Sequence, residues 1–86
     1  MASGNGERMN IEDIRTLRMA AEFGSFSKAA EHLMVTQPAV SQRIRHLERD
    51  LGVELFSRNG RRVVLSDAGE VVLDFARDLD GLLTGM

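Results

Sequence analysis

Between Thr36 and Leu51 the sequence TQPAVSQRIRHLERDL carries amide, hydroxyl and guanidinium side chains at helical spacing. At 100° per residue, Pro38, Gln42, Arg45 and Arg49 fall on one side, with Ser41 and His46 on its flanks. Gln pairs bidentately with adenine, Ser bonds to several base edges, and Arg bonds to guanine or to phosphate. That is the chemistry of reading duplex DNA through the major groove. The opposite side repeats Val40, Ile44, Leu47 and Leu51, a single apolar stripe. An ordinary amphipathic helix with a solvated face has the same pattern, so the rest of the chain must decide between the two.

Charge is distributed in favour of the first reading. The net charge of the 86 residues is −2, which by itself does not suit a polyanion partner. Residues 41–62, however, hold six arginines against three acids, a local balance of +3, and residues 63–86 hold one arginine against five acids, a balance of −4. A field of this shape draws one face towards phosphates. Arg58, Arg61 and Arg62 flank Asn59-Gly60, between two extended runs. Asn-Gly is a strong hairpin signal, because a type I′ turn needs positive φ at both central residues. An arginine-tipped ribbon beside a groove-sized helix is a wing, suited to phosphates or a minor groove.

Other chemistries lack their residues. There is no cysteine, hence no disulfide framework or thiolate metal site, and the two histidines have no close acidic cluster. No Ser/His/acid set sits in a nucleophile elbow, and no glycine-rich phosphate loop is present. The expectation is no enzyme, no metal and no cofactor, with His32 and His46 structural or solvent-exposed. No apolar run approaches the roughly 20 residues that span a bilayer, and MASGNGER is too polar for a signal peptide, so a cytoplasmic location is expected.

The elements that position these side chains follow in order. Residues 1–8 have no periodicity and read as a disordered extension. Asn10 caps a first helix with Ile11, Ile14, Leu17, Ala20, Ala21 and Phe23 on its apolar side, and Gly24 stops it. A second, short helix follows, with Ser27 as its expected cap and Ala29, Ala30 and Leu33 as a small-residue face. Thr36 caps the third helix, Pro38 falls in its first turn, and Gly52 ends it. Two helices joined by a tight turn, the second polar on its outer face, make a helix-turn-helix. Ser66 caps a last helix with Val72, Phe75, Leu79 and Leu82 at 3-4-3 spacing. Such a seam suits a second copy of the chain, although a domain this small also needs core from every helix.

With this order in place, the wording resembles the DNA-binding domain of the LysR-type transcriptional regulators. The residues that carry the resemblance are the Ala29-Ala30 pair with Leu33, the run Thr36-Gln37-Pro38-Ala39-Val40-Ser41, Ile44 with Leu47-Glu48 and Leu51-Gly52, Leu55-Phe56 with Arg58, and Ser66 with Ala68-Gly69. It extends from about Met9 to Leu83. It implies a mainly α fold: a winged helix-turn-helix, with a three-helix core and a two-stranded β-hairpin wing, over residues 9–66. A linker and dimerisation helix would occupy 67–86.

The resemblance also implies roles. Gln37, Pro38, Ala39, Ser41 and Gln42 would face base edges and backbone. Arg58, Arg61 and Arg62 would approach phosphates or the minor groove. Arg45 and Arg49 lie further along the same face and suit phosphate better than base readout. Ser27, Lys28 and Thr36 stand at helix N-termini, where backbone N–H groups attract phosphate, with plain capping as the alternative for Ser27 and Thr36. Family members often have Arg then Gln after the serine, where this chain has Gln42-Arg43. The swap shifts the cationic donor by about 100° around the helix. The partner implied is double-stranded DNA with a two-fold symmetric site, bound by a homodimer. A complete member carries an effector-sensing domain after the linker helix, absent from this chain, so a small-molecule effector would bind only the full-length protein. A winged helix used for protein–protein contact is the alternative.

Overall fold

The computed structural model describes residues 10–59 and 62–84, so the N-terminal extension lies outside the described residues. The elements are α1 (Ile11–Phe23), α2 (Phe26–Leu33), α3 (Gln37–Leu51), β1 (Phe56–Asn59), β2 (Arg62–Leu65) and α4 (Asp67–Thr84). This is the mainly helical winged arrangement expected.

The helix ends are set by side-chain caps and left-handed stops. Asn10 accepts from the Glu12 N–H at 2.8 Å, and Thr36 Oγ1 accepts from the Ala39 N–H at 3.2 Å. Gly24 and Gly52 close α1 and α3 with φ of 63° and 70°. The cap of α2 differs from expectation. Ser25, not Ser27, accepts from the Lys28 N–H, at 3.0 Å, and the helix begins at Phe26. Phe26 is drawn into the first turn because its ring packs edge-on against Phe56, with centroids 5.4 Å apart. Ser27 and Lys28 are therefore exposed residues of the first turn. Met34 ends α2 at φ 60°, a conformation Gly adopts without strain, and its side chain is 89% exposed.

The core is one cluster: Ile14, Leu17 and Ala20 of α1, Ala29 and Ala30 of α2, Val40, Ile44 and Leu47 of α3, Leu55 and Phe56 at the wing, and Ala76 of α4. Ala29 and Ala30 let α2 lie close against its neighbours, as their small size suggests. Ile11 and Phe23, expected on the inner stripe of α1, are partly exposed at its two ends.

The hairpin is antiparallel, pairing Phe56 with Leu65, Ser57 with Val64, Arg58 with Val63 and Asn59 with Arg62. Asn59 thus belongs to the ladder and not to the centre of the turn, a shift of one residue from the Asn-Gly reading. Gly60 and Arg61 lie outside the described residues.

Ser66 joins the wing to α4. Its N–H donates to the Leu55 carbonyl at 2.9 Å, its Oγ donates to the Glu54 carbonyl, and it accepts from the Gly69 N–H at 3.0 Å. Gly69 is buried directly on that strand end. A Cβ at this position would collide with the Leu55 carbonyl oxygen and come within 2.6 Å of the Leu65 side chain. Gly69→Ala is expected to lower stability by about 2 kcal/mol through overpacking, read as a lower urea midpoint. An unchanged midpoint would show that α4 can back away from Leu55 freely.

Candidate nucleic-acid interface

The polar side of α3 is exposed because the other side is committed to the core. Val40, Ile44 and Leu47 are buried against α1 and α2, which fixes the direction in which the intervening residues project. Gln37, Pro38, Ser41, Gln42 and Arg45 line one shallow depression on the outer side. Gln37, Pro38 and Gln42 are exposed, and Ser41 is half-buried. Four of the five residues expected to face bases are thus brought together. Ala39 is half-buried and does not line the depression, and Arg45 joins it. Arg49 is exposed one turn further on, beside a second depression shared with Asp13, Gln42, Arg43 and His46. Thr36 is exposed at the head of α3 with its hydroxyl engaged in capping.

The backbones of Arg58 and Arg62 stand in β1 and β2, but their side chains, like the whole of Arg61, lie outside what is described. The wing is held to α3 by Glu48. Its carboxylate accepts from the Leu55 N–H at 2.9 Å and the Phe56 N–H at 3.5 Å. Its backbone carbonyl accepts from Gly52 at 2.8 Å and Val53 at 3.2 Å. This one residue accepts the closing bonds of α3, which Gly52 ends, and aims the strand that follows.

Two more contacts were not readable from local pattern. Arg43 donates to Thr16 Oγ1 at 3.3 Å and lies 3.5 Å from the Glu12 carboxylate. His46 Nδ1 lies 2.7 Å from Asp13 Oδ2, which is buried, and 4.0 Å from Asp50 Oδ2. His46 is therefore paired across the α1–α3 seam, its partner 33 positions away in sequence. At such separation no spacing rule applies.

The apolar seam of α4 divides between two environments. Leu73 and Ala76 face inward and are buried, and Val72 and Leu79 are half-buried against the core. Val71, Phe75 and Leu82 form an outward line, with exposures of 70%, 48% and 71%. Of the four residues expected at a dimer contact, Phe75 and Leu82 are free of the chain's own core, and Val72 and Leu79 are not. Among the described residues no group of three or more His, Cys, Asp or Glu could hold a metal, and no helix is long and apolar enough to cross a membrane.

A helix-turn-helix followed by a two-stranded wing and a long helix defines a winged-helix DNA-binding domain. Residues 11–70 match the family described as bacterial regulatory helix-turn-helix protein, lysR family. The chain belongs to the LysR family. It is 49% identical over 71 residues to an HTH-type transcriptional regulator of Bacillus subtilis, YxjO, covering 83% of this chain and 24% of that protein. Among solved structures it resembles the BenM DNA-binding domain in complex with benA site 1 DNA, with a TM-score of 0.86 and 32% identity over 91% of this chain and 88% of that one. It also resembles the CbnR DNA-binding domain–DNA complex, with a TM-score of 0.82 and 35% identity over 87% of this chain and 86% of that one. The chain spans about a quarter of the length of the curated relative.

Hydrogen bonds to a charged acceptor contribute about 1.5–3 kcal/mol each. Glu48→Ala is therefore expected to destabilise the domain by about 2 kcal/mol, and Glu48→Gln, which keeps an acceptor, by less. Equal losses in denaturant unfolding would show that the carboxylate charge, and not its geometry, secures the wing.

Proposed function

We propose that this chain is the DNA-binding part of a dimeric bacterial transcriptional regulator, acting in the cytoplasm and without catalytic activity. The observation that carries the proposal is the cluster of Gln37, Pro38, Ser41, Gln42 and Arg45 on one exposed side of α3. The likeness to two domains solved on DNA supports it. In this reading α3 enters the major groove by its N-terminal half. Gln37 to Gln42 meet base edges, and Gln42 is the residue best equipped for bidentate pairing with adenine. Arg45, Arg49, the wing arginines 58, 61 and 62, and the helix starts at Ser27, Lys28 and Thr36 meet phosphates.

Two copies would join through the outward line of α4. Val71, Phe75 and Leu82 are too apolar to leave in water along one side of an 18-residue helix. A dimer implies a roughly two-fold symmetric site, with half-sites separated by whole turns of DNA. Domain boundaries follow: 9–66 for the winged domain and 67–86 for the linker helix, preceded by an extension at 1–8. An effector would act on the full-length protein.

Selection of bound sequences from random DNA, followed by a salt titration, tests the function. Affinity should fall steeply from low to physiological salt, and Arg61→Ala should flatten that slope by about one. Gln42→Ala should relax base preference at one position of each half-site. Absence of binding to any duplex at low salt would overturn the reading and favour a protein-contact module.

The dimer is tested at Leu82, which touches none of the core. Leu82→Glu should sediment as a monomer and keep its fold, read as an unchanged helix content by circular dichroism. A variant that stays dimeric would place the contact elsewhere.

A further inference from the structure

The residue after Gln42 does not face outward with it. Arg43 turns back onto α1, where it meets Thr16 Oγ1 at 3.3 Å and Glu12 Oε1 at 3.5 Å. Thr16 is fully buried, and its own hydroxyl proton goes to the Glu12 carbonyl at 2.7 Å. With its proton committed, the Thr16 oxygen can only accept from Arg43. The guanidinium is thereby tied, through one side chain, to the backbone of α1. Three residues on, His46 makes the second tie, to buried Asp13 at 2.7 Å.

These ties differ in kind from the apolar seam beside them. Burial of Val40, Ile44 and Leu47 holds α3 against the core but is non-directional. Hydrogen bonds have a narrow range of angle and distance. Two of them, at i and i+3 on α3, fix both its rotation and its slide along α1. Rotation matters for reading bases. The side-chain surface of a helix lies about 5–6 Å from its axis, so a 10° turn moves that surface by about 1 Å. That is enough to spoil a bidentate bond.

We infer that Arg43, anchored on Thr16 and Glu12, is a positioning residue that sets the azimuth at which Gln42 meets the bases. It confers sequence preference without touching DNA. The inference rests on the proposed groove reading. It gives the Gln42-Arg43 order a physical role: the long cation secures the helix, and the shorter amide next to it does the reading.

Thr16→Val is the clean test, since the Thr16 side chain is uncharged, fully buried and inaccessible to DNA. The ratio of affinities for a selected duplex over a scrambled one should fall about fivefold, the low end of what one bidentate base contact is worth. Affinity for the scrambled duplex and its salt slope should stay as in the unmodified chain. Arg43→Gln should lower the ratio similarly. Adding Thr16→Val to it should cause little further loss, because both break the same chain of bonds. Arg43→Lys, which keeps a charge near Glu12, should fall between. An unchanged ratio in Thr16→Val overturns the proposal. So does an Arg43→Gln variant that weakens both duplexes equally with a flatter salt slope, which would make Arg43 a phosphate contact. If the unmodified chain prefers no sequence over another, the groove reading itself fails and the positioning role fails with it. That result is distinct from a loss confined to the Thr16 variant.

Discussion

Everything on the outer side of α3 depends on how its inner side is buried. Val40, Ile44 and Leu47 are all but inaccessible to solvent, and each such side chain contributes about 1.5–3 kcal/mol by leaving water. For a domain of this size that is a large share of its stability. The phase of the helix is therefore held to within a small rotation: turning it far enough to expose a different polar set would bring Val40 or Ile44 into water. A helix at 3.6 residues per turn has no freedom to choose its faces separately. Committing one stripe to the core commits Gln37, Ser41, Gln42 and Arg45 to the other side.

The wing and the last helix inherit their positions from that same element. Glu48 follows buried Leu47 on α3 and spends its carboxylate on the N–H groups of Leu55 and Phe56. These are backbone donors at the start of the hairpin, where the β1–β2 ladder alone would not satisfy them. Leu55 and Phe56 then enter the core, and Ser66 closes the loop by returning to the Leu55 carbonyl. Gly69 completes the corner, because α4 crosses the strand end at a distance that leaves no room for a methyl group. The orientation of α3 thus passes through a short series of named contacts to the wing on one side and the long helix on the other.

Much of this was legible in the sequence, and the reason is that the legible parts are local. Helix caps at Asn10, Thr36 and Ser66 and stops at Gly24 and Gly52 are decided within four residues of each position, where residue type and backbone geometry are closely coupled. The misplaced cap of α2 shows the limit. Ser25 and Ser27 are equally good acceptors, and the choice between them is made by Phe26, whose partner Phe56 lies 30 positions away. The hairpin shows it again: Asn-Gly marks the turn, but the ladder register is set by which strand residues reach the core, and Asn59 ends within it. Arg43, at the border of the apolar stripe, reads as pairing with an acid or a phosphate at the edge, but neither its partners Thr16 and Glu12 nor the His46–Asp13 tie can be named from the sequence. Each joins polar residues of two helices that are far apart in the chain, 27 and 33 positions, where no local spacing pairs them.

The last helix carries the same tension to its conclusion. Its apolar residues cover too wide an arc for one contact, and the fold resolves this by giving each edge of the arc a different neighbour. Leu73 and Ala76 are buried on its inner side, with Ala76 in the core cluster, where α4 packs on α1 and β2. Val72 and Leu79 stand at the border. Val71, Phe75 and Leu82 are left over, in line and outward, because they lie on the side of α4 turned away from Leu73 and Ala76. In α4 the inner face and the outer line are adjacent, and the residues between them touch both. Val72 and Leu79 occupy that shared border. On this arrangement a second copy packed on the outer line would also press the border residues into the core, linking the firmness of the winged domain to its pairing.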